Sequence, residues 1–197
     1  MGMNDTPSLV GPNSLLIEFP AWIDEVVQSF AHPLLDDDAR MALTVRLSDE
    51  NVTRGGGPFA GTVFWGDRFV AAGVNRVLES GLSIAHAEIM ALMRAQAALG
   101  ATAALSAPPL TLFASTEPCC QCFGALVWAG VRRLVCGATT ADAEAVGFDE
   151  GPKPDGWVGV LERRGISVRL GVQRADADRV LRSYLARGGF IYGKAAT

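Results

Sequence analysis

The chain has 197 residues, long enough for one well-buried domain and short for two, with 49% hydrophobic and only 19% charged residues. Its net charge of −4 argues against a polyanionic partner such as DNA or tRNA, because binding a phosphate backbone requires a basic face. Several arginines are interpreted as solvated charges, namely Arg132, Arg133, Arg163, Arg164 and Arg169. No apolar run reaches the length of a membrane span and the N-terminus lacks a signal-peptide pattern, so we expect a soluble, cytoplasmic protein.

The cysteine content and the apolar composition add two expectations. Four cysteines do not make a disulfide framework, which fits a reducing compartment. The low fraction of charged residues predicts that part of the surface is covered by a second subunit, so we expect a homodimer.

The first part of the chain predicts an arm, two helices and a strand pair. Residues 1–19 are rich in Pro, Gly, Asn and Ser and are expected to form a loose N-terminal arm. The periodicity then predicts helices over 21–31 and 37–50, the second capped by Asp36, and strands over 59–65 and 69–74 that turn at Gly66 and Asp67.

Helices and strands alternate along the rest of the chain. The predicted segments are a helix over 83–100, a strand over 110–115, a helix over 119–130, a strand over 134–137, a helix over 156–164, a strand over 167–170 and a helix over 177–187. This alternation predicts an α/β fold, a three-layer α/β/α domain with a mixed five-stranded sheet.

One motif, His86-Ala87-Glu88 followed by Pro118-Cys119 and Cys122, points directly to chemistry. It is the H-x-E…P-C-x-x-C arrangement of zinc deaminases. A catalytic zinc takes three protein ligands and keeps a fourth position for water, and His86, Cys119 and Cys122 supply three. Glu88 is left uncoordinated and free to move a proton from the water to a ring nitrogen. The motif therefore predicts hydrolytic deamination of a nucleobase or nucleoside.

The spacing of the motif suits one shared metal ion. Cys119 and Cys122 lie one helical turn apart, so on a helix that begins at Pro118 both sulfur atoms project to the same side. His86 lies near the start of a second helix. Two helix N-termini would therefore face the metal, and their partial positive charge favours the thiolate form of cysteine.

Two other classes of protein also use a CxxC pair: thiol redox proteins and zinc-stabilised interaction modules. A structural zinc needs a fourth ligand, and the one other histidine, His32, has no metal-type spacing around it and is interpreted as a surface or helix-end residue. Cys120 is expected to face the core or the wall of the site, and Cys136 to be a buried strand residue. In either alternative class Glu88 would be dispensable.

Residues 56–192 resemble the cytidine deaminase superfamily and, within it, the bacterial guanine deaminases. The motifs that carry the resemblance are Gly56-Gly57-Pro58-Phe59, Asn75-Arg76, His86-Ala87-Glu88-Ile89, Glu117-Pro118-Cys119, Cys122-Phe123-Gly124-Ala125 and Gly147-Phe148-Asp149-Glu150-Gly151-Pro152. The sequence departs from the family at Cys120-Gln121, where relatives often carry apolar residues.

The resemblance implies a cytidine deaminase-like fold and a role for each matching residue. His86, Cys119 and Cys122 match the zinc ligands, and Glu88 matches the acid that shuttles protons. Glu150 matches a second catalytic acid that helps protonate the departing amine, although the residues alone favour a solvated loop acid there and leave Glu144 and Asp149 as competitors. The expected substrate-binding residues are Asn75, Phe59, Ala87 and Tyr192.

The resemblance also implies a division of the chain and a reaction. Residues 1–19 form the arm, residues 20–188 the zinc deaminase domain, and residues 189–197 a tail that closes the partner subunit's active site. The expected reaction converts guanine to xanthine and ammonia. The alternatives are a related amine (guanosine, another aminopurine, an aminotriazine such as ammeline, or cytosine) and a zinc-stabilised non-catalytic module.

Overall fold

The computed structural model describes residues 15–30, 33–34, 36–100 and 109–192. A mixed five-stranded sheet forms the middle layer of the fold, as predicted. The strands are β1 Ala60–Trp65, β2 Arg68–Val74, β3 Leu110–Thr116, β4 Val131–Ala138 and β5 Ser167–Arg169. Their order across the sheet is β2-β1-β3-β4-β5. β1 is antiparallel to both β2 and β3, whereas β3, β4 and β5 run parallel.

Eight helices lie within the described residues. They are α1 Trp22–Ser29, α2 Asp37–Thr53, α3 Val77–Ser80, α4 Ala87–Leu99, α5 Cys120–Trp128, α6 Thr140–Ala145, α7 Trp157–Arg163 and α8 Arg174–Ala186. The sequence did not predict α3 and α6, because four or six residues are too few to show helical periodicity. None of these helices is long and apolar enough to cross a membrane.

Two separate apolar cores cover the two faces of the sheet, which gives the three predicted layers. On one face α1, α2 and α8 pack against the sheet, with Met41, Phe113 and Leu181 among the fully buried residues. On the other face α4, α5 and α7 pack, with Leu112 and Leu126 fully buried. Phe113 and Leu112 are neighbours on β3 and point to opposite cores, as the two-residue period of a strand requires.

The helices that carry the metal motif begin later than the sequence predicts. α5 begins at Cys120, because Cys119 has extended backbone angles and is the N-cap, so Pro118 is not the first helical residue. α4 begins at Ala87, with His86 as its N-cap. By contrast, the predicted cap of α2 is confirmed, since the Asp36 carboxylate accepts a hydrogen bond of 2.8 Å from the backbone N–H of Ala39.

The interpretation of the arginines as solvated charges is wrong for Arg133, which is partly buried, whereas Arg169 is exposed but also forms an ion pair. Both guanidinium groups bind the carboxylate of Asp37, which is only 9% exposed at the start of α2. This pairing lets β4 extend back to Val131, beyond the predicted 134–137, because the charged residue within the strand has a partner. Cys136 is fully buried on the same strand, as predicted. His32 lies outside the described residues.

Candidate active site

The three predicted zinc ligands converge at the N-termini of α4 and α5. The Nδ1 atom of His86 lies 3.3 Å from the Cys119 sulfur and 3.6 Å from the Cys122 sulfur, and all three ligand atoms lie within 4.8 Å of one another. Tetrahedral coordination with ordinary zinc bond lengths places a nitrogen and a sulfur ligand about 3.6 Å apart. The donor set and its spacing therefore fit zinc.

The surroundings of the thiols favour a thiolate at Cys119. Hydrogen bonds from Cys122 and then His86 together lower the pKa of Cys119 to about 4, despite burial. The pKa of Cys122 is raised, by its hydrogen bond to Cys119 and by burial. Burial lowers the pKa of His86, but its hydrogen bond to Cys119 and the charge of Glu88 outweigh burial and raise it. The negative charge of Cys119 therefore favours a cation at this site.

A cavity of about 240 Å³ opens next to these ligands. Its walls come from the ends of β1, β2 and β3, the start of α4, the loop after α6 and the C-terminal segment. The lining residues are Phe59, Ala60, Asn75, Val77, Ser83, His86, Glu88, Ala114, Ser115, Thr116, Glu117, Cys119, Phe148, Asp149, Glu150 and Tyr192. The cavity thus brings together residues from positions 59 to 192, which only the fold makes neighbours.

Three buried acids line this cavity: Glu88 and Glu117, each at 8% exposure, and Glu150, at 6%. Burial, and after it the charge of Cys119, raise the pKa of Glu88 to about 7 and that of Glu150 to about 8. Of the competitors for the second acid, Glu144 is exposed, and exposed Asp149 accepts a 2.8 Å hydrogen bond from the backbone N–H of Gly151. Glu150 is the buried carboxyl group of the three.

Asn75 is the buried amide of the cavity, at 1% exposure. Its Nδ2 atom donates to the Tyr192 hydroxyl at 2.5 Å, and its Oδ1 atom accepts from the backbone N–H of Val77 at 3.2 Å. Behind it, the amide of Asn51 on α2 donates to the carbonyl oxygens of Gly57 at 2.7 Å and Asn75 at 3.1 Å. Asn51 therefore ties the loop before β1 to the end of β2.

The side chains of Asn51 and Asn75 lie so close to the backbone of Gly56 and Gly57 that both positions require glycine. A Cβ atom at position 56 would lie 2.5 Å from the Asn51 amide, and one at position 57 would lie 2.9 Å from the Asn75 oxygen. Only glycine leaves room for both buried amides. The glycine-rich stretch is thus a packing requirement of the site.

Three aromatic rings form one side of the cavity. The Phe59 ring meets the Phe148 ring edge to face at 4.8 Å, and Phe148 meets Tyr192 at 5.7 Å. Phe148 was not predicted as a site residue, although its position in the Gly147-to-Pro152 motif offered the signal. Tyr192 lines the cavity of its own chain here, so closure of a partner's site by the tail stays a prediction.

The substrate contact of Ala87 stays a prediction. Ala87 is fully buried and does not line the cavity, whereas His86 and Glu88 on either side of it do. Successive helical residues point about 100° apart, so the Ala87 side chain faces a different direction from those of its two neighbours. Cys120, predicted to face the core or the wall, lies behind the loop of Glu150, where a Cβ atom on Gly151 would lie 2.4 Å from its sulfur.

His86 and Cys119 line a cavity that also contains buried acids, and Cys122 lies next to them. Such a three-ligand set beside a cavity is typical of zinc-dependent hydrolytic enzymes, and this chain is one of them. Residues 35–138 match the model of the cytidine and deoxycytidylate deaminase zinc-binding region. The chain therefore belongs to this family of zinc-binding deaminases.

Several relatives indicate which kind of deaminase within this family the chain resembles. A guanine deaminase structure from Nitrosomonas europaea is 44% identical, with a TM-score of 0.82 over 90% of this chain and 99% of that chain. The structure of NE0047 in complex with 2,6-diaminopurine is 47% identical, with a TM-score of 0.81 over 91% and 97% of the two chains. The guanine deaminase of Bacillus subtilis (strain 168) is 36% identical over 107 residues, which cover 54% of this chain and 67% of that protein.

Proposed function

We propose that this protein catalyses the zinc-dependent hydrolytic deamination of guanine to xanthine and ammonia. The observation that carries the proposal is the convergence of two buried acids, Glu88 and Glu150, on the cavity beside the three-ligand set. The relatives named guanine deaminase and the relative bound to 2,6-diaminopurine, an aminopurine, support this substrate class.

We assign the metal to His86, Cys119 and Cys122 and the proton transfer beside it to Glu88. Zinc, when bound, lowers the pKa of a water molecule and so provides a nucleophile near neutral pH. Glu88 takes the proton of that water and delivers it to a ring nitrogen of the base. A carboxyl group with a pKa raised towards neutrality suits both halves of this transfer.

We assign protonation of the leaving group to Glu150. Attack at C2 of guanine leaves the departing amine between two ring nitrogens, so one carboxyl group beside the metal does not easily serve both proton transfers. Glu150 lies in a different loop from Glu88 and lines the same cavity, and burial keeps it protonated near neutral pH. Protonation of the amine releases ammonia and leaves the oxygen of water on C2, which is xanthine.

We assign binding of the base to Asn75, Phe59 and Tyr192. The Asn75 amide and the Tyr192 hydroxyl lie together in the cavity and present hydrogen-bonding groups to the edge of a base. The rings of Phe59 and Phe148 provide an apolar surface for its face. This combination of a few polar groups and an aromatic wall fits a flat heterocycle.

The alternative substrates are related amines: guanosine, another aminopurine, an aminotriazine such as ammeline, or cytosine. These differ by few hydrogen bonds, so the shape of the cavity decides among them. A zinc-stabilised non-catalytic module is disfavoured, because the metal-type cluster within the described ranges has three members and opens onto a cavity, whereas structural sites use four ligands.

An ammonia-release screen of purines, pyrimidines and triazines tests the proposal. We expect guanine to give the highest kcat/KM with the zinc-loaded protein. Release from another amine with none from guanine would reject the substrate and retain the reaction. Failure of Glu88→Ala to reduce turnover would reject hydrolytic deamination itself.

We further propose that the protein is a homodimer formed through a groove between α4 and α5. The groove is lined by Ile89, Leu92, Met93, Gln96, Ala125, Trp128 and Ala129. Trp128 is 78% exposed and Met93 is 42% exposed, so a second copy of this apolar face would bury both. Analytical ultracentrifugation of Trp128→Asp should show a monomer where the unmodified protein is a dimer.

The division into an arm over 1–19, a deaminase domain over 20–188 and a partner-closing tail over 189–197 is part of the same proposal. So are a cytoplasmic location and a role in purine metabolism. The four free cysteines, two of them metal ligands, support a reducing compartment. Fractionation and a structure of the assembled protein test these points.

A further inference from the structure

The loop that carries Glu150 has no regular secondary structure between α6 and α7, yet Glu150 must keep a fixed position to act on a substrate. One backbone hydrogen bond ties it to the metal loop, from the N–H of Cys120 to the carbonyl of Glu150 at 2.9 Å. A second tie comes from a side chain three residues further on, Lys153.

Lys153 reaches across from this loop to the residue that precedes the ligand Cys119. Its Nζ atom donates to the carbonyl oxygen of Pro118 at 2.9 Å and to the Thr140 hydroxyl at 2.6 Å. Its ammonium group also lies 4.7 Å from the centre of the Trp157 ring, which limits its freedom. The two loops are thus joined by a charged side chain whose donors have fixed partners.

The Thr140 hydroxyl, which accepts the second hydrogen bond of Lys153, also contacts a buried acid. The Thr140 hydroxyl donates to the Glu117 carboxylate at 2.8 Å, and the backbone N–H of Thr140 donates to the same oxygen at 3.0 Å. Glu117 is 8% exposed and lines the cavity. Lys153 therefore offsets a buried negative charge through one hydroxyl while it holds the Pro118 carbonyl.

We infer that Lys153 is a positioning residue that holds Glu150 against the loop of Cys119. The chain has two lysines, and this one is part of a network between the two loops that the proposed reaction uses. The inference rests on the proposed function, because it gives Lys153 the task of placing the acid that protonates the leaving amine.

A double-mutant cycle tests the inference with the zinc-loaded protein. Lys153→Met keeps an unbranched side chain of similar length and removes the charge and the donors. We expect it to retain zinc and to lower kcat roughly tenfold or more with little change in KM, because small displacements of a reacting group cost that much. In a Glu150→Ala background the same change should lower kcat less than about twofold, since the group it positions is gone.

Lys153→Arg and Arg164→Met serve as matched variants. Arg keeps the charge and the donors, so it should restore most of the lost kcat. Arg164 is exposed after α7, and Arg164→Met removes the same charge without touching either loop. Equal losses from Lys153→Met with and without Glu150, or no rescue by Lys153→Arg, would overturn the inference. If Lys153→Met does not fold, Lys153→Gln replaces it in the cycle.

Hydrogen exchange tests the positioning role of Lys153 independently of the proposed substrate. The Cys120 amide hydrogen binds the Glu150 carbonyl, so it should exchange faster in Lys153→Met and at the original rate in Arg164→Met. This measurement needs no substrate and stands even if guanine is not deaminated. Unchanged exchange at Cys120 in Lys153→Met would show that Lys153 does not hold the loop.

Discussion

Replacing Asn51 by alanine should cost both stability and substrate affinity. Asn51 is 1% exposed on α2 and donates two buried hydrogen bonds, to the carbonyl oxygens of Gly57 and Asn75. Without Asn51 the buried Asn75 carbonyl oxygen loses this donor, while the Gly57 carbonyl oxygen keeps a 2.9 Å bond from the Phe59 N–H, and the loss of the two bonds costs about 3 kcal/mol. For a protein of this size that corresponds to a fall in Tm of roughly 6–12 °C.

The same helix offers a matched control in Ser48. Ser48 is also 1% exposed, but its hydroxyl has no hydrogen-bond partner among the described residues. Ser48→Ala should therefore leave the free energy of unfolding unchanged within about 0.5 kcal/mol or raise it. Urea unfolding followed by circular dichroism measures both variants with zinc bound.

The activity of Asn51→Ala gives a second measurement. Asn51 fixes the loop of Phe59 and the strand end of Asn75, which we propose bind the base. We therefore expect KM to rise more than kcat falls, because Glu88 is untouched. Equal losses of stability in Asn51→Ala and Ser48→Ala, or an unchanged KM at full zinc loading, would refute this reasoning.

Three further predictions concern the acid, the metal and an ion pair. Glu88→Gln should keep its bound zinc by metal analysis and lose turnover by at least about 100-fold in an ammonia assay, and activity within tenfold of the original would contradict its role. A chelator should abolish turnover and lower Tm, and zinc should restore both; turnover that survives complete zinc removal would exclude the proposed mechanism. Bonds from Arg174 hold the pKa of Asp142 well below its ordinary value of 3.8, so the stability they give is present above that value and is lost as pH falls. Urea unfolding between pH 6 and pH 2 should show a shallower loss of stability in Arg174→Gln, and identical slopes would count against the pair.

Periodicity and turn residues allowed most of the fold to be predicted, because each long element buries one face. The five strands and six longer helices follow from apolar spacing, and the Asp36 cap from its side chain. The two short helices were missed because their contacts are too few to impose a period. The start of α5 was placed too early because proline is equally compatible with a position before the N-cap.

By itself the sequence determined the zinc ligands and Glu88. A metal site requires particular residue types at a fixed spacing, and that spacing is visible within short segments of the sequence. Tertiary structure decided what those residues face. Burial of Glu150, the approach of Phe148 and the links through Asn51 and Lys153 join separate elements, and the Asn75–Tyr192 hydrogen bond joins residues 117 positions apart. Such contacts depend on how the sheet and the helices pack in three dimensions, so they cannot be predicted from the residue pattern of any single segment.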